Sequence, residues 1–315
     1  MSDLLTRLGV AVLLPQRELE LLIRSAPHRY KVYEIKKRSQ GYRTIAQPAR
    51  EVKVLQRWVM KHVLDEFEVH PAATAYRKGL SIRDNAKPHA SGRFLLKMDF
   101  RDFFPSLTAR DFRTFLKRQK SSLSTDEIKA LCLILFWTPK YTTGLRLSIG
   151  APSSPMLSNV LMADFDRHIA AVCASNDVTY TRYADDLSFS ATVSEQLQTV
   201  EKAVIAWCAQ SKSPVLSVNQ GKTVRVSKAE ARRVTGLVLT NDRKVSLGRE
   251  TKRRIRAGVH HFVTGKLATD EILKLGGMLA YVNSVERTFM RRLRKKYGAD
   301  AIQRCLEWKG GGAGT

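Results

Sequence analysis

Two aspartates stand side by side, Asp185 and Asp186, within Tyr180-Thr181-Arg182-Tyr183-Ala184-Asp185-Asp186-Leu187-Ser188-Phe189-Ser190. Aromatic and hydroxyl-bearing residues alternate on either side, the pattern of a β-hairpin that carries the two acids at its tip. Adjacent carboxylates repel, and desolvating either one without a partner is costly, so a positioned pair calls for a cation. Magnesium, hard and oxygen-seeking, suits such a pair. A third acid, Asp99, ends the apolar run Phe94-Leu95-Leu96-Lys97-Met98, where a buried strand delivers its last residue to a sheet edge. An isolated Asp-Asp is ordinarily a solvated turn. Asp99, Asp185 and Asp186 together are the set that holds two Mg2+ ions around an in-line phosphoryl displacement, the chemistry of a nucleotidyl polymerase.

Elements to position these acids are legible along the chain. A helix with Leu19, Leu22 and Ile23 follows Pro15, and Tyr30 to Ile35 alternates like a strand. Ser39-Gln40-Gly41 turns that strand back into Tyr42 to Ile45, which ends near Pro48. A helix with Val52, Leu55, Trp58, Val59, Val63 and Leu64 on one face comes next. After the strand at Arg93 to Phe100, Ser124 and Glu127 form a capping box that opens an apolar helix. Ser153 to Ala174 reads as one helix, and another spans about Ser194 to Ala209. Short strands are predicted at Val215–Val218, Thr223–Val226, Val234–Leu239 and Lys244–Leu247. Strands and helices interleave without a strict βαβ repeat, which predicts an α+β fold. The predicted divisions are 1–92, 93–248, a basic helical region at 249–309, and a tail at 310–315.

The chain has 315 residues, with 54 Lys plus Arg against 29 Asp plus Glu, and this net charge of +25 points to a polyanionic partner. Nucleic acid fits better than a membrane surface, because the longest apolar run, Ala130 to Trp137, is far too short to span a bilayer. Leu8 to Leu14 fails as a secretory leader: Pro15 cuts it short, and only Arg7 precedes it. A cytoplasmic protein with no membrane partner is expected. Cys132, Cys173, Cys208 and Cys305 are scattered, with no metal-finger spacing, and are expected to be reduced thiols.

Tyr183-Ala184-Asp185-Asp186 resembles the Y-x-D-D box of reverse transcriptases, and Phe94 to Leu107 resembles their first catalytic motif. Gly150-Ala151-Pro152-Ser153-Ser154-Pro155 with Ser158-Asn159 resembles the motif under the templating base. Asn219-Gln220-Gly221-Lys222-Thr223 resembles the lysine-bearing motif. The four run in the family's order between about Arg43 and Gly248. The resemblance implies a right-hand polymerase fold with fingers, palm and helical thumb, copying RNA into DNA from deoxynucleoside triphosphates with two Mg2+ ions on Asp99, Asp185 and Asp186. A bound triphosphate needs cations on its outer side, and the basic hairpin with Lys36, Lys37 and Arg43 can supply them, Arg43 foremost. The resemblance further places Lys222 near the triphosphate, gives Phe104 the role of an aromatic gate against a ribose 2′-hydroxyl, and gives Gly150 close backbone approach to the nucleotide.

Two smaller signatures, Asn85-Ala86-Lys87-Pro88-His89 and Val234-Thr235-Gly236, resemble marks of bacterial retron reverse transcriptases. That resemblance implies a structured non-coding RNA as cognate partner, DNA started from a guanosine 2′-hydroxyl, a branched RNA–DNA product (msDNA), and a separate effector protein in antiphage defence. No ribonuclease H segment follows the basic helices, so a host ribonuclease H is the expected source of template removal. The expected RNA contacts are Asn85, His89, Arg253, Arg254, Arg256, Arg291, Arg292 and Arg294, the arginines gripping an A-form duplex by charge and shape. One departure stands out: the family's usual Leu-Pro-Gln-Gly is Leu147-Ser148-Ile149-Gly150 here. The rival readings are a reverse transcriptase of group II intron or diversity-generating type, which lacks the paired signatures, and a catalytically silent RNA-binding scaffold, in which nothing requires the three acids together.

Overall fold

The structure is a computed structural model that describes residues 3–37, 41–119, 121–140 and 142–308. The turn expected at Ser39-Gln40 and the tail at 310–315 lie outside the described residues. Contacts divide the chain into two compact units, Met1–Gly79 with Leu96–Arg225 and Leu80–Leu95 with Val226–Thr315. Residues 80–92 and 226–248 therefore share a unit with the basic helices, whereas the sequence grouped them with the segments before Arg249.

In the first unit, strands β1 (Tyr30–Lys36) and β2 (Tyr42–Pro48) pair antiparallel, with Tyr30 opposite Pro48 and Lys36 opposite Tyr42. The helix Arg50–His62 follows and buries Val52, Leu55 and Val59, the one-face spacing that its sequence predicts. A second sheet has the order β4-β5-β3-β6, formed by β3 (Phe94–Asp99), β4 (Thr179–Tyr183), β5 (Asp186–Ala191) and β6 (Val224–Ser227). β3 is internal, and its Leu95, Leu96 and Met98 are all but inaccessible, which is why its apolar residues run nearly unbroken.

The helix expected over Ser153–Ala174 is two helices, Ser154–Leu161 and Ala163–Ala174, separated at Met162 where the backbone turns to φ −89° and ψ 0°. The strand expected at Val215–Val218 reduces to a single bridge between Phe100 and Val218. The Ser124/Glu127 capping box is present, and a second one, Thr108/Asp111, opens the helix Ala109–Arg118. Leu8 belongs to a helix over Asp3–Val12 whose buried side is Leu4, Leu8 and Gly9.

In the second unit the expected strand Val234–Leu239 is folded in half. β7 (Arg233–Val234) and β8 (Leu237–Leu239) form a hairpin about Thr235-Gly236, and β9 (Val245–Ser246) extends it. Both turn residues have positive φ, 45° and 81°, the backbone of a tight primed turn. The core of this unit gathers Ile255, Val259, Leu279, Val282, Phe289 and Met290 from the helices Arg249–Val263, Thr269–Val285 and Arg287–Tyr297. No described helix is long and apolar enough to cross a membrane. All four cysteines are free thiols; Cys132, Cys173 and Cys305 are buried and Cys208 is half-buried.

Candidate active site

Strand pairing sets the acids. In the β4–β5 hairpin Tyr183 lies opposite Asp186, leaving Ala184-Asp185 as a two-residue turn, with Ala184 in the left-handed region at φ 58°. Asp99 closes the neighbouring β3. The Phe100 amide donates to the Asp185 carbonyl at 3.2 Å, and the Asn219 amide donates to the Asp99 carbonyl at 2.7 Å, so the strand end, the hairpin tip and the lysine-bearing segment are tied together by backbone.

The electrostatics of the three acids are joint. Burial pushes the Asp185 carboxyl up to about 6, and the charges of Asp186 and Asp99 push the same way. Asp186 is raised as well, first by burial and then by Asp99, while Lys97 and Lys222 oppose the shift. Lys222 Nζ contacts both oxygens of Asp99, at 2.9 and 3.1 Å, and Asn219 Nδ2 approaches one of them at 3.5 Å. The structure thus brings Asp99, Asp185, Asp186 and Lys222 into one electrostatically coupled group. Lys222 is aimed at an acid here, rather than standing apart as a triphosphate ligand.

The sequence expected a site for two metal ions. Among the described residues no three His, Cys, Asp or Glu side chains form a ready metal cage. The donor chemistry nonetheless fits hard cations: three carboxylates, two of them raised by burial and mutual repulsion, are what a bound divalent ion relieves.

Beside this group a cavity of about 430 Å³ is lined by residues that include Lys53, Arg57, Tyr76, Phe104, Ile149 and Gly150. Phe104 is half-buried, on a single helical turn that starts from Asp102 at φ 46° and whose Pro105 carbonyl accepts from Arg146 Nη1 at 2.9 Å. Its ring packs against Phe103 at 5.4 Å and lies 6.5 Å from Tyr76, which in turn lies 6.5 Å from Tyr183.

Gly150 has a different near neighbour from the nucleotide expected of it. It sits at φ 123°, and a Cβ there would meet the Ala46 carbonyl oxygen of β2 at 3.1 Å; the adjacent Ile149 carbonyl accepts from the Ala46 amide at 2.9 Å. The glycine lets this loop lie against β2 while still lining the cavity. Arg43 is exposed on β2, opposite Ile35, and its charge reaches the Tyr76 phenol, as does that of Asp185.

Lys53, Arg57 and Tyr76 were not anticipated. The first two are spaced i, i+4 on the helix Arg50–His62, off its apolar face, a signal that the neighbouring basic hairpin obscured. Two cavity-lining hydroxyls, Ser148 Oγ and Ser154 Oγ, are buried with no hydrogen-bond partner among the described residues.

In the second unit, Arg253, Arg254, Arg256, Arg291, Arg292 and Arg294 are all exposed. The two basic helices are in contact: the Arg256 guanidinium lies 5.2 Å from the Phe289 ring centre, and Lys252 pairs with Glu286 at 2.6 Å. Asn85 and His89, expected to touch RNA, are buried instead. Asn85 Nδ2 reaches Thr235 Oγ1 at 3.5 Å, and that hydroxyl donates to the Ile82 carbonyl at 3.1 Å, so the two short signatures meet each other inside the unit. Burial pushes His89 down to about 3, which keeps it neutral and unsuited to pair with a phosphate.

Residues 35–239 match the family model described as reverse transcriptase (RNA-dependent DNA polymerase), nearly two thirds of the chain. The Retron Ec83 reverse transcriptase of Escherichia coli is 40% identical over 298 residues, covering 94% of this chain and 96% of its own length. The Retron Ec86 reverse transcriptase of Escherichia coli is 36% identical over 91% of this chain and 88% of its own. The Retron Mx65 reverse transcriptase of Myxococcus xanthus is 32% identical over 94% of this chain and 70% of its own.

Proposed function

The chain belongs to the retron reverse transcriptases, RNA-directed DNA polymerases of the α+β right-hand fold, and from that premise we propose that it copies part of its own structured non-coding RNA into a branched RNA–DNA product. Synthesis starts from a guanosine 2′-hydroxyl of that RNA and draws on deoxynucleoside triphosphates. The product serves antiphage defence together with a separate effector protein, in the cytoplasm, and a host ribonuclease H clears the copied template. The three-part division carries over as part of this proposal, with N-terminal helices and fingers to residue 92, palm and the remaining fingers elements to 248, and helical thumb to 309.

The observation that carries the chemistry is the coupling of Asp99, Asp185 and Asp186, tied together by the Phe100 amide on the Asp185 carbonyl, where burial and then mutual repulsion push the Asp185 carboxyl up to about 6. The family uses divalent metal ions; we assign two Mg2+ to these three carboxylates. Bound there, the ions supply positive charge to the attacking and departing oxygens of an in-line displacement at phosphorus. The chain's own groups do the rest. Asp185 and Asp186 require deprotonation before they can ligate, and the nearby ammonium groups of Lys97 and Lys222 favour it. Lys222, paired with Asp99 in the free protein, passes to a triphosphate oxygen when nucleotide binds, and Arg43 meets the triphosphate from outside. Phe104 closes the cavity wall against a 2′-hydroxyl, selecting deoxynucleotides. The exposed arginines of Arg249–Val263 and Arg287–Tyr297 hold duplex by its phosphates and 2′-hydroxyls.

The experiment is to purify the chain with its bound nucleic acid and sequence it. A covalently branched RNA–DNA species is expected. Linear DNA alone, on an RNA with no branch, would set the retron product aside in favour of the group II intron or diversity-generating reading.

A further inference from the structure

Directly beneath the hairpin tip lies a charged pair that the chemistry above does not use. Arg182 and Asp166 are both fully buried. The guanidinium grips the carboxylate with two parallel bonds, Nε to Oδ1 at 2.8 Å and Nη2 to Oδ2 at 2.6 Å. Its remaining nitrogen, Nη1, donates to Asn159 Oδ1 at 3.1 Å and to the Ala184 carbonyl at 3.0 Å. Tyr180 OH completes the cluster with a 2.7 Å bond to Asp166.

A buried ion pair is a poor source of stability, because desolvating two charges offsets most of their attraction, and apolar side chains of similar volume commonly do as well. What such a pair supplies that they do not is direction. Ala184 needs it, since an L-residue with a Cβ resists the left-handed backbone at φ 58°, and the next two residues are Asp185 and Asp186. The same arginine also links the tip to the cavity. Its amide donates to the Ala72 carbonyl at 2.7 Å, its carbonyl accepts from the Thr74 amide at 2.8 Å, and Asn159 Nδ2 donates to the Ala75 carbonyl at 2.9 Å, all just before Tyr76 of the cavity wall.

We propose that Arg182, held by Asp166 and Asn159, is a positioning residue that fixes the Ala184 turn and thereby sets Asp185 and Asp186 relative to the nucleotide cavity. This rests on the assignment of Asp185 and Asp186 to catalysis. Displacing reacting groups by about 1 Å costs on the order of 100-fold in rate even when binding is preserved.

The test replaces the pair by an apolar one, Arg182→Met with Asp166→Leu, and measures melting temperature, kcat and the KM for deoxynucleotide on an RNA template. The expected result is a folded protein whose melting temperature falls because Tyr180, Asn159 and the Ala184 carbonyl each lose a partner, an unchanged KM, and a kcat lower by about 100-fold. Parental kcat in a folded double variant overturns the proposal. Should that variant not fold, Arg182→Lys keeps a buried cation on Asp166 but loses the fork. It is expected to show the same selective loss of kcat, and parental kcat there overturns the proposal equally. Asp185→Asn, assayed in parallel, separates the two levels. Synthesis retained by Asp185→Asn defeats the catalytic assignment, whereas a dead Asp185→Asn beside a fully active Arg182 variant defeats only the positioning role.

Discussion

At the scale of single residues, the site is organised around carboxylates that are uncomfortable by themselves. Because the folded Asp185 carboxyl titrates near 6, above the ordinary range, it binds its proton more tightly folded than unfolded. Its ionisation therefore works against folding, and the penalty grows as pH rises from about 4 through 6 and is complete above that. Two outcomes follow. Without divalent ions at pH 7.5, Asp185→Asn is expected to unfold at higher denaturant concentration than the parent, by about 2–3 kcal/mol, although it cannot synthesise DNA. A lower midpoint in urea would show that the carboxylate is not strained. At limiting divalent ion the rate of primer extension should also fall on the acid side, as protons compete with the ion for Asp185; an acid limb that does not move when the ion concentration is raised would remove Asp185 from the reacting group. Phe104, half-buried at the cavity wall, gives a selectivity outcome. Phe104→Val should raise ribonucleotide incorporation relative to deoxynucleotide by about tenfold or more, read as the ratio of kcat/KM values. An unchanged ratio would place the gate elsewhere.

At the scale of elements, the loop carrying Gly150 is pinned to β2 by the Ile149 carbonyl and by the absence of a side chain. Gly150→Ala is expected to destabilise the protein by about 1–3 kcal/mol and to raise the KM for nucleotide, since the loop must leave β2 or strain. Calorimetry that finds no change would mean the loop tolerates a Cβ. Much of the frame is legible in the chain itself. The acids on β3 and at the β4–β5 tip follow from an apolar run ending in Asp99 and an alternating hairpin, because strand burial leaves a direct trace in residue type. Other parts leave less trace. The break at Met162 lies in continuous apolar sequence with no glycine or proline, so nothing local announces it. Thr235 in a positive-φ turn defies the habit of β-branched residues, and so Val234–Leu239 reads as one strand. Asn85 and His89 are expected at RNA from the resemblance of their signature, yet both are buried, and the partner of Asn85, Thr235, is 150 residues away. Arg182 was hidden for the same reason: its value depends on Asp166 and Asn159, which only the fold brings to it.

At the scale of the whole molecule, a net charge of +25 states the class of partner but not where it binds. The structure gives that charge exposed positions on two contacting helices. Neutralising Arg291, Arg292 and Arg294 together should weaken RNA binding and lower the slope of log affinity against log salt by about two to three, if each meets one phosphate. An unchanged slope would assign these helices to another partner.

The most direct measurement is DNA synthesis on an RNA template, with and without divalent ions, by the parent and by Asp99→Asn, Asp185→Asn and Asp186→Asn, alongside RNA affinity. Synthesis by the parent should require the divalent ion, and each variant should lose at least about 1,000-fold in rate while binding RNA within about twofold of the parent. Any of the three variants extending DNA at near the parental rate would contradict a joint role for these carboxylates in holding the metal.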